Sequence, residues 1–196
     1  MRISIMAIFL FFSMWKVNAQ INNDYLKIGK NAPRIQGIDQ FSNSINSDKI
    51  LKNNKVLLIF YRGNWCPYCK KHLASLQENL DKFIKKGVYV IVVTPEKVNK
   101  VKETSAEFKS AFSIIHDVDN KIMINYKVAF DVTKENVPNY FEFTLNKVRE
   151  YNESYNDVLP VPATYLIDTD HKISYAHYDP NYKKRSDFSE ILTLLK

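Results

Sequence analysis

The chain has 196 residues, 45% of them hydrophobic, and a formal net charge of +7. That is enough apolar material for one folded domain and excludes an intrinsically disordered chain. Two cysteines exclude a disulfide-rich scaffold, and basic residues scattered without a clustered stripe argue against nucleic acid as a partner.

In chain order, the first segment reads as a leader. Met1-Arg2 is positive, Ile3 to Trp15 is almost wholly apolar, and Val17-Asn18-Ala19 supplies short residues before a cut. This predicts a secretory signal peptide over 1–19, cleaved after Ala19, with an uncleaved N-terminal anchor as the alternative. The apolar run is shorter than the about 20 residues of a membrane span. No second run of that length follows, so no stable membrane insertion is expected after cleavage. Loss of Arg2 and Lys16 would take the charge from +7 to +5. Export would place the protein in the periplasm or outside the cell, where a disulfide can form and persist.

Residues 20–34 read as an extended lead-in, and residues 35–196 as the folded domain. The mixed polar stretch 35–54 predicts a short hairpin or loops over a sheet. Lys55 to Tyr61 is a continuous apolar run, as in a strand buried on both faces. Cys69, Leu73, Leu76, Leu80 and Phe83 then recur at intervals of four and three, the stripe of an amphipathic helix. Pro67 suits its first turn and Gly87 its end. Val88 to Thr94 is a second buried strand. Thr94-Pro95-Glu96 reads as a helix start, with a threonine cap, proline and an acid in the first turn, for a helix running to about Lys109.

Phe112 to Asp117 is a third strand, and Asp119 to Tyr126 a short helix. Residues 130–158 show no clean period and are read as an insertion with one helical piece. Thr164 to Asp168 and Ile173 to Tyr178 form a hairpin, and Ser186 to Leu195 a closing amphipathic helix. The order predicts an α/β fold with a central mixed sheet: a parallel βαβ half, a C-terminal β-hairpin, and flanking helices.

The chemistry concentrates in Arg62-Gly63-Asn64-Trp65-Cys66-Pro67-Tyr68-Cys69-Lys70-Lys71-His72, which holds both cysteines. A zinc site needs about four ligands, and only His72 stands near. A structural staple would close a loop too short to stabilise much. A redox pair fits better. Cys66 falls at the helix N-cap, where free N–H groups and the helix dipole stabilise a thiolate. Arg62 and Lys70 can add to this. Cys69 faces the apolar stripe, so Cys66 is expected to attack and Cys69 to resolve. Pro162, before the TYLID strand, is expected to follow a cis peptide bond and shape a groove with Val161. Trp65 is expected to cover the site. His116 reads as a satisfied histidine, with a base as the alternative, and Asp179, Tyr182 and Arg185 as a turn with a surface salt bridge, with a place near the active site as the alternative.

The strings FYRGNWCPYCKKHLASLQ, VVTPE, LPVPATYLID and AHYDPNYKKRS resemble the AhpC/TSA group of the thioredoxin-fold superfamily, over about residues 28–196. They are most similar to its peroxiredoxin-like branch. The resemblance implies that Cys66 is oxidised by a hydroperoxide to a sulfenic acid. Cys69 would then form a Cys66–Cys69 disulfide, and a thioredoxin-like dithiol protein would reduce it. It implies no cofactor and no metal. Two positions depart from the pattern. Gly63 stands where peroxiredoxins place Thr or Ser, and Pro162 stands near where they place an arginine. Arg62 and Asn64 are the candidate replacements. The same features resemble TlpA/ResA-like thiol-disulfide oxidoreductases, for which the substrate would be a protein disulfide.

Overall fold

The computed structural model describes residues 24–153 and 157–195. The leader expected over 1–19 lies outside the described residues. Strands β1 (Gln36–Ile38) and β2 (Ser44–Asn46) form the expected antiparallel hairpin. The Asn46 side chain then accepts the Asp48 and Lys49 amides and caps α1 (Ser47–Ile50). The redox half follows as β3 (Lys55–Phe60), α2 (Pro67–Lys85), β4 (Val88–Thr94), α3 (Val98–Phe108) and β5 (Ser113–His116). A short 3₁₀ turn leads into α4 (Lys121–Asn125), then β6 (Ala129–Asp131), α5 (Phe141–Tyr151), β7 (Val158–Pro160), β8 (Ala163–Ile167), β9 (Ile173–Tyr178) and α6 (Phe188–Leu194).

The main sheet has the order β5-β4-β3-β8-β9. Its first three strands are parallel, and β8 and β9 are antiparallel to their neighbours. This is the thioredoxin-like arrangement that the sequence predicts. Alternation along β3 and β4 divides the core. Leu57, Ile59, Val90 and Val92 pack with Leu73, Leu76 and Phe83 of α2 and Ile191 of α6. Leu58, Phe60, Ile91 and Val93 pack with Met123, Tyr126, Ile45 and Tyr165 on the opposite face. Each fully buried side chain of this size contributes roughly 1.5–3 kcal/mol, so α2 is anchored to the sheet along its length. The described part of the lead-in turns at Gly29, where φ is +83° and Lys30 N–H donates to the Lys27 carbonyl at 3.2 Å. It runs beside β9, with Gly29 and Ala32 donating to Ile173 and His171 carbonyls at 2.8 Å each.

Two elements differ from expectation. Helix α3 starts at Val98, not at Thr94-Pro95. Glu96 bridges to Asn152, and Lys97 N–H donates to the Tyr151 carbonyl at 2.8 Å, so the chain stays extended for one more turn's worth of residues. The insertion carries helix α5, as expected, and also a two-stranded ribbon of β6 and β7. Its Phe130, Leu145, Val148 and Leu159 make a small core of their own that reaches Trp65.

Strand register decides where the chemistry gathers. Phe60 pairs with Val93 on one side and with Ala163 on the other, and Ala163 pairs with Tyr178. The segments after β3, after β4, before β8 and after β9 therefore emerge at one edge of the sheet.

Candidate active site

The loop from β3 to α2 is short and tightly bonded. Tyr61 N–H continues the strand to the Val93 carbonyl at 3.1 Å, and Cys66 N–H turns back to the Gly63 carbonyl at 3.1 Å. Cys66 is the N-cap of α2, in extended conformation, with Pro67 at the first helical position and no side-chain cap. The N–H groups of the first turn are thus left to face the sulfurs. Cys69 sits one turn further on. Both are free thiols, 2% and 1% exposed.

The two sulfurs hydrogen-bond each other, and each state of one depends on the other. The hydrogen bond to Cys69, then burial, push the Cys66 thiol up. Burial opposes ionisation of Cys69 as well. It is outweighed by the Cys66 hydrogen bond, the Arg185 charge and the Arg62 backbone and charge, which hold Cys69 well below the usual thiol range. The opposite directions are those of two thiols that compete for one shared proton. The helix-terminus argument, which lowers Cys66 alone, omits Arg185, whose Nη2 lies 3.4 Å from Cys69 Sγ.

Arg62 is 5% exposed and lies between two rings, 5.1 Å from the centroids of both Trp65 and Tyr182. Its Nε has no hydrogen-bond partner. Beside it is a cavity of about 130 Å³ walled by Arg62, Val137, Tyr140, Val161, Pro162 and Tyr182. Trp65 packs edge-on against Phe143 of α5 at 6.2 Å, so the insertion closes over the cysteine loop. Trp65, Pro67 and Val161-Pro162 all stand at the expected edge.

The Val161–Pro162 bond is trans, contrary to expectation. Val161 N–H is committed to the Val128 carbonyl at 2.8 Å, and the Pro162 carbonyl accepts from Asp179 at 3.3 Å, which holds the segment extended out of β7. Lys70 does not face the cysteines; it pairs with Glu107 of α3. His72 is turned to Ser186 Oγ at 3.2 Å and stacks on Phe188 at 4.6 Å. Burial, then Arg185, push its pKa down to about 3, so it is neutral. His116 is satisfied as expected, by the Glu96 carbonyl and the Glu153 carboxylate. Asp179 does pair with Lys184 at 3.5 Å. Tyr182 and Arg185 instead belong to the site, where a surface role is expected from sequence.

Glu96 is the residue that sequence reading misses. It is fully buried, and its carboxylate accepts Asn64 N–H at 2.8 Å and the Tyr61 hydroxyl. Burial pushes it up to about 7, against those two hydrogen bonds. Asn64 Nδ2 donates to Glu107 at 2.9 Å, and its buried Oδ1, which has no hydrogen-bond partner, can only accept, so the side chain does not reproduce a threonine hydroxyl that both donates and accepts. Gly63 has φ +153°, and a Cβ there would stand 2.4 Å from Trp65 Nε1 and 2.9 Å from Glu96 Oε1. The space of a threonine side chain at position 63 is filled by indole and carboxyl. The signal for Glu96 was its place just past β4, at the carboxyl edge of the parallel strands, where α/β folds build sites.

The AhpC/TSA family pattern matches residues 28–176. The chain is 23% identical over 168 residues to "Peroxiredoxin Q, chloroplastic" of Oryza sativa subsp. japonica, covering 86% of this chain and 66% of that protein. It is 26% identical over 153 residues to "Thiol-disulfide oxidoreductase ResA" of Bacillus cereus, covering 78% of this chain and 70% of that one. The crystal structure of peroxidoxin BcpB from Mycobacterium tuberculosis superposes with a TM-score of 0.65 at 15% identity, covering 87% of this chain and 97% of that one. The chain thus spans about two thirds of the length of these curated relatives and shares the fold of the solved one. With a dithiol at the N-terminus of α2 on a peroxiredoxin-like sheet, it belongs to the AhpC/TSA family, whose relatives here bear the names of peroxiredoxins and thiol-disulfide oxidoreductases.

Proposed function

We propose that the protein is a thiol peroxidase that cycles a Cys66–Cys69 disulfide. The observation that carries this reading is the seclusion of the pair: two cysteines no more than 2% exposed, with a cavity of about 130 Å³ lined by Arg62, Val161 and Pro162 at the same edge of the sheet. A hydroperoxide reaches such a sulfur more readily than the disulfide of a folded protein does. Cys66 attacks the peroxide, the O–O bond breaks, and a sulfenic acid forms. Cys69 then attacks that sulfur, one turn away, and water leaves. A thioredoxin-like dithiol protein returns the pair to thiols by exchange, a step that requires the cysteine loop to open first. With the leader read over 1–19, this work takes place outside the cytoplasm.

The test is the stopped-flow rate of reduced protein with hydrogen peroxide, followed by the fluorescence of Trp65. A rate far above that of a free thiol, lost in Cys66→Ser, supports the reading. A rate no better than a free thiol refutes it. One observation favours the second reading, protein-disulfide exchange: the place of the family's peroxide-orienting hydroxyl is filled by Trp65 and Glu96. Reduction of a model protein disulfide by the same preparation separates the two.

A further inference from the structure

Arg62 is fixed from both sides along the chain. Tyr61 N–H is bonded to the Val93 carbonyl, and Cys66 N–H turns back to the Gly63 carbonyl, at 3.1 Å each. The guanidinium is 5% exposed and lies between the rings of Trp65 and Tyr182. With rings packed on it, its hydrogen bonds must form in its own plane, and there Nε has no partner. Burial works against its charge. The groups that then act on it are Cys66 and Cys69, which favour the charge, Arg185, which opposes it, and Tyr182. No carboxylate is among them. A buried cation is costly unless an anion is paired with it. The two sulfurs can supply one only while they are thiols that ionise. In a disulfide neither sulfur ionises, and the repulsion from Arg185 remains.

Arg62 is also the one charged residue lining the cavity of about 130 Å³. Val137, Pro138 and Tyr140 of the insertion, Val161-Pro162 before β8 and Pro180 after β9 make most of the remaining wall, and neither cysteine lines it. An apolar cavity of about 150 Å³ accepts benzene, so this one holds a body of about four to six carbons. A largely apolar wall with one guanidinium suits a compact organic carboxylate, with its carbons against valine and proline and its charge on Nε. Phosphate or sulfate would leave oxygens unpaired against the same wall.

We propose that this cavity is a binding site for a small monocarboxylate, and that it fills preferentially when Cys66 and Cys69 are joined as a disulfide. In that state the two thiols have given two electrons and two protons to the hydroperoxide, which becomes water and an alcohol or a second water. The thiolate that competed for Arg62 is gone, and the ligand takes its place as the counter-charge. The proposal rests on the Cys66–Cys69 disulfide of the reading above, and not on the choice between peroxide and protein disulfide as substrate. Coupling between two sites is typically about 5–150-fold, and binding about tenfold tighter to the disulfide form is expected. By reciprocity, saturating ligand lowers the reduction potential of the pair by about 30 mV, so the ligand holds the protein oxidised.

The probe is isovalerate, and neutral isovaleramide, of the same shape, is the control. The protein is prepared as dithiol and as disulfide, each checked by thiol titration. Calorimetry reads the affinity, and the NMR signal of the Arg62 Nε–H reads the contact without any substitution. Isovalerate is expected to bind the disulfide form about tenfold tighter than the dithiol, to bind tighter than isovaleramide, and to move the Nε–H signal. Folded Arg62→Met protein is expected to lose the preference for the carboxylate. Val137→Phe, which fills the cavity and keeps Arg62, is expected to lose both ligands. An Nε–H signal left in place by millimolar isovalerate overturns the site. Equal affinity for amide and carboxylate overturns it as well, since the cavity would then be an apolar pocket only. Equal affinity of the two redox forms overturns the preference for the disulfide. A pair that forms no disulfide ends both this proposal and the reading above, whereas a disulfide that binds isovalerate no better than the dithiol ends this proposal alone.

Discussion

Replacing Gly63 by alanine tests how the cysteine loop is built. The residue has φ +153°, a backbone region that side chains rarely enter, at a cost of about 1–2 kcal/mol. The added Cβ would stand 2.4 Å from Trp65 Nε1, 2.7 Å from Trp65 Cδ1 and 2.9 Å from Glu96 Oε1. Relief requires the indole to leave its contact with Phe143, or the carboxylate to release Asn64. Overpacking of this kind costs roughly 1–3 kcal/mol. Gly63→Ala is therefore expected to lower stability by about 2–5 kcal/mol. Urea unfolding checks this as a shift in midpoint at unchanged slope. Gly63→Thr, which writes the family's usual residue into the loop, is expected to be at least as costly and to leave the peroxide rate unimproved. A Gly63→Ala protein as stable as the wild type would refute the claim that indole and carboxyl fill this space.

Glu96→Gln should flatten the pH dependence of stability. The folded carboxyl is raised to about 7 from 4.5, so its contribution is complete below pH 4.5 and lost as pH rises through 7, at most about 3 kcal/mol. The difference between wild-type and Glu96→Gln urea midpoints across that window isolates it from the cysteines; a difference independent of pH would contradict the burial argument. Phe143→Ala removes one edge-on aromatic contact from an exposed ring and should cost no more than about 1.5 kcal/mol. The same change should shift Trp65 emission towards that of a wetter indole, and unchanged emission would mean that α5 does not cover the loop. Leu76→Ala, at a fully buried position of α2, should cost about 2–5 kcal/mol by urea unfolding.

The sheet was legible because its strands are unambiguous. Val56 to Phe60 and Val88 to Val93 are apolar runs of strand length rich in β-branched residues, the pattern of a strand buried on both faces. Helix α2 was legible from its stripe, and Cys66 at its N-cap from Pro67 and the spacing to Cys69. Glu96 and Arg185 were not, for a common reason. Local rules assign an acid after Thr-Pro to a helix start, and an arginine among Lys, Asp and Tyr to a surface turn. Those rules hold until a partner distant in sequence makes a better offer. Tyr61 and Asn64, more than thirty positions before Glu96, supply two hydrogen bonds that a helix start would not. Cys69, 116 positions before Arg185, supplies the acceptor. The β6–β7 ribbon was missed because three-residue strands carry too little period to detect.

The two departures from the family pattern have one physical origin. A threonine at position 63 and an arginine at the start of β8 would each place a polar group at the sheet edge where the cysteines lie. Here that edge is reached by four chain segments, and other segments provide the polar groups. Glu96 comes from the segment after β4, and Arg185 from the loop after β9. The substitution changes the chemistry and not only the address. A threonine hydroxyl both donates and accepts a hydrogen bond, whereas an ionised carboxylate only accepts. With its pKa near 7, Glu96 can act as a donor only while protonated, so any help it gives in binding a peroxide should fade above neutral pH. Peroxide reactivity is therefore expected to fall as Glu96 ionises, even as the supply of thiolate grows. That dependence is opposite in sign to that of a free cysteine, whose rate rises with pH until the thiol is fully ionised.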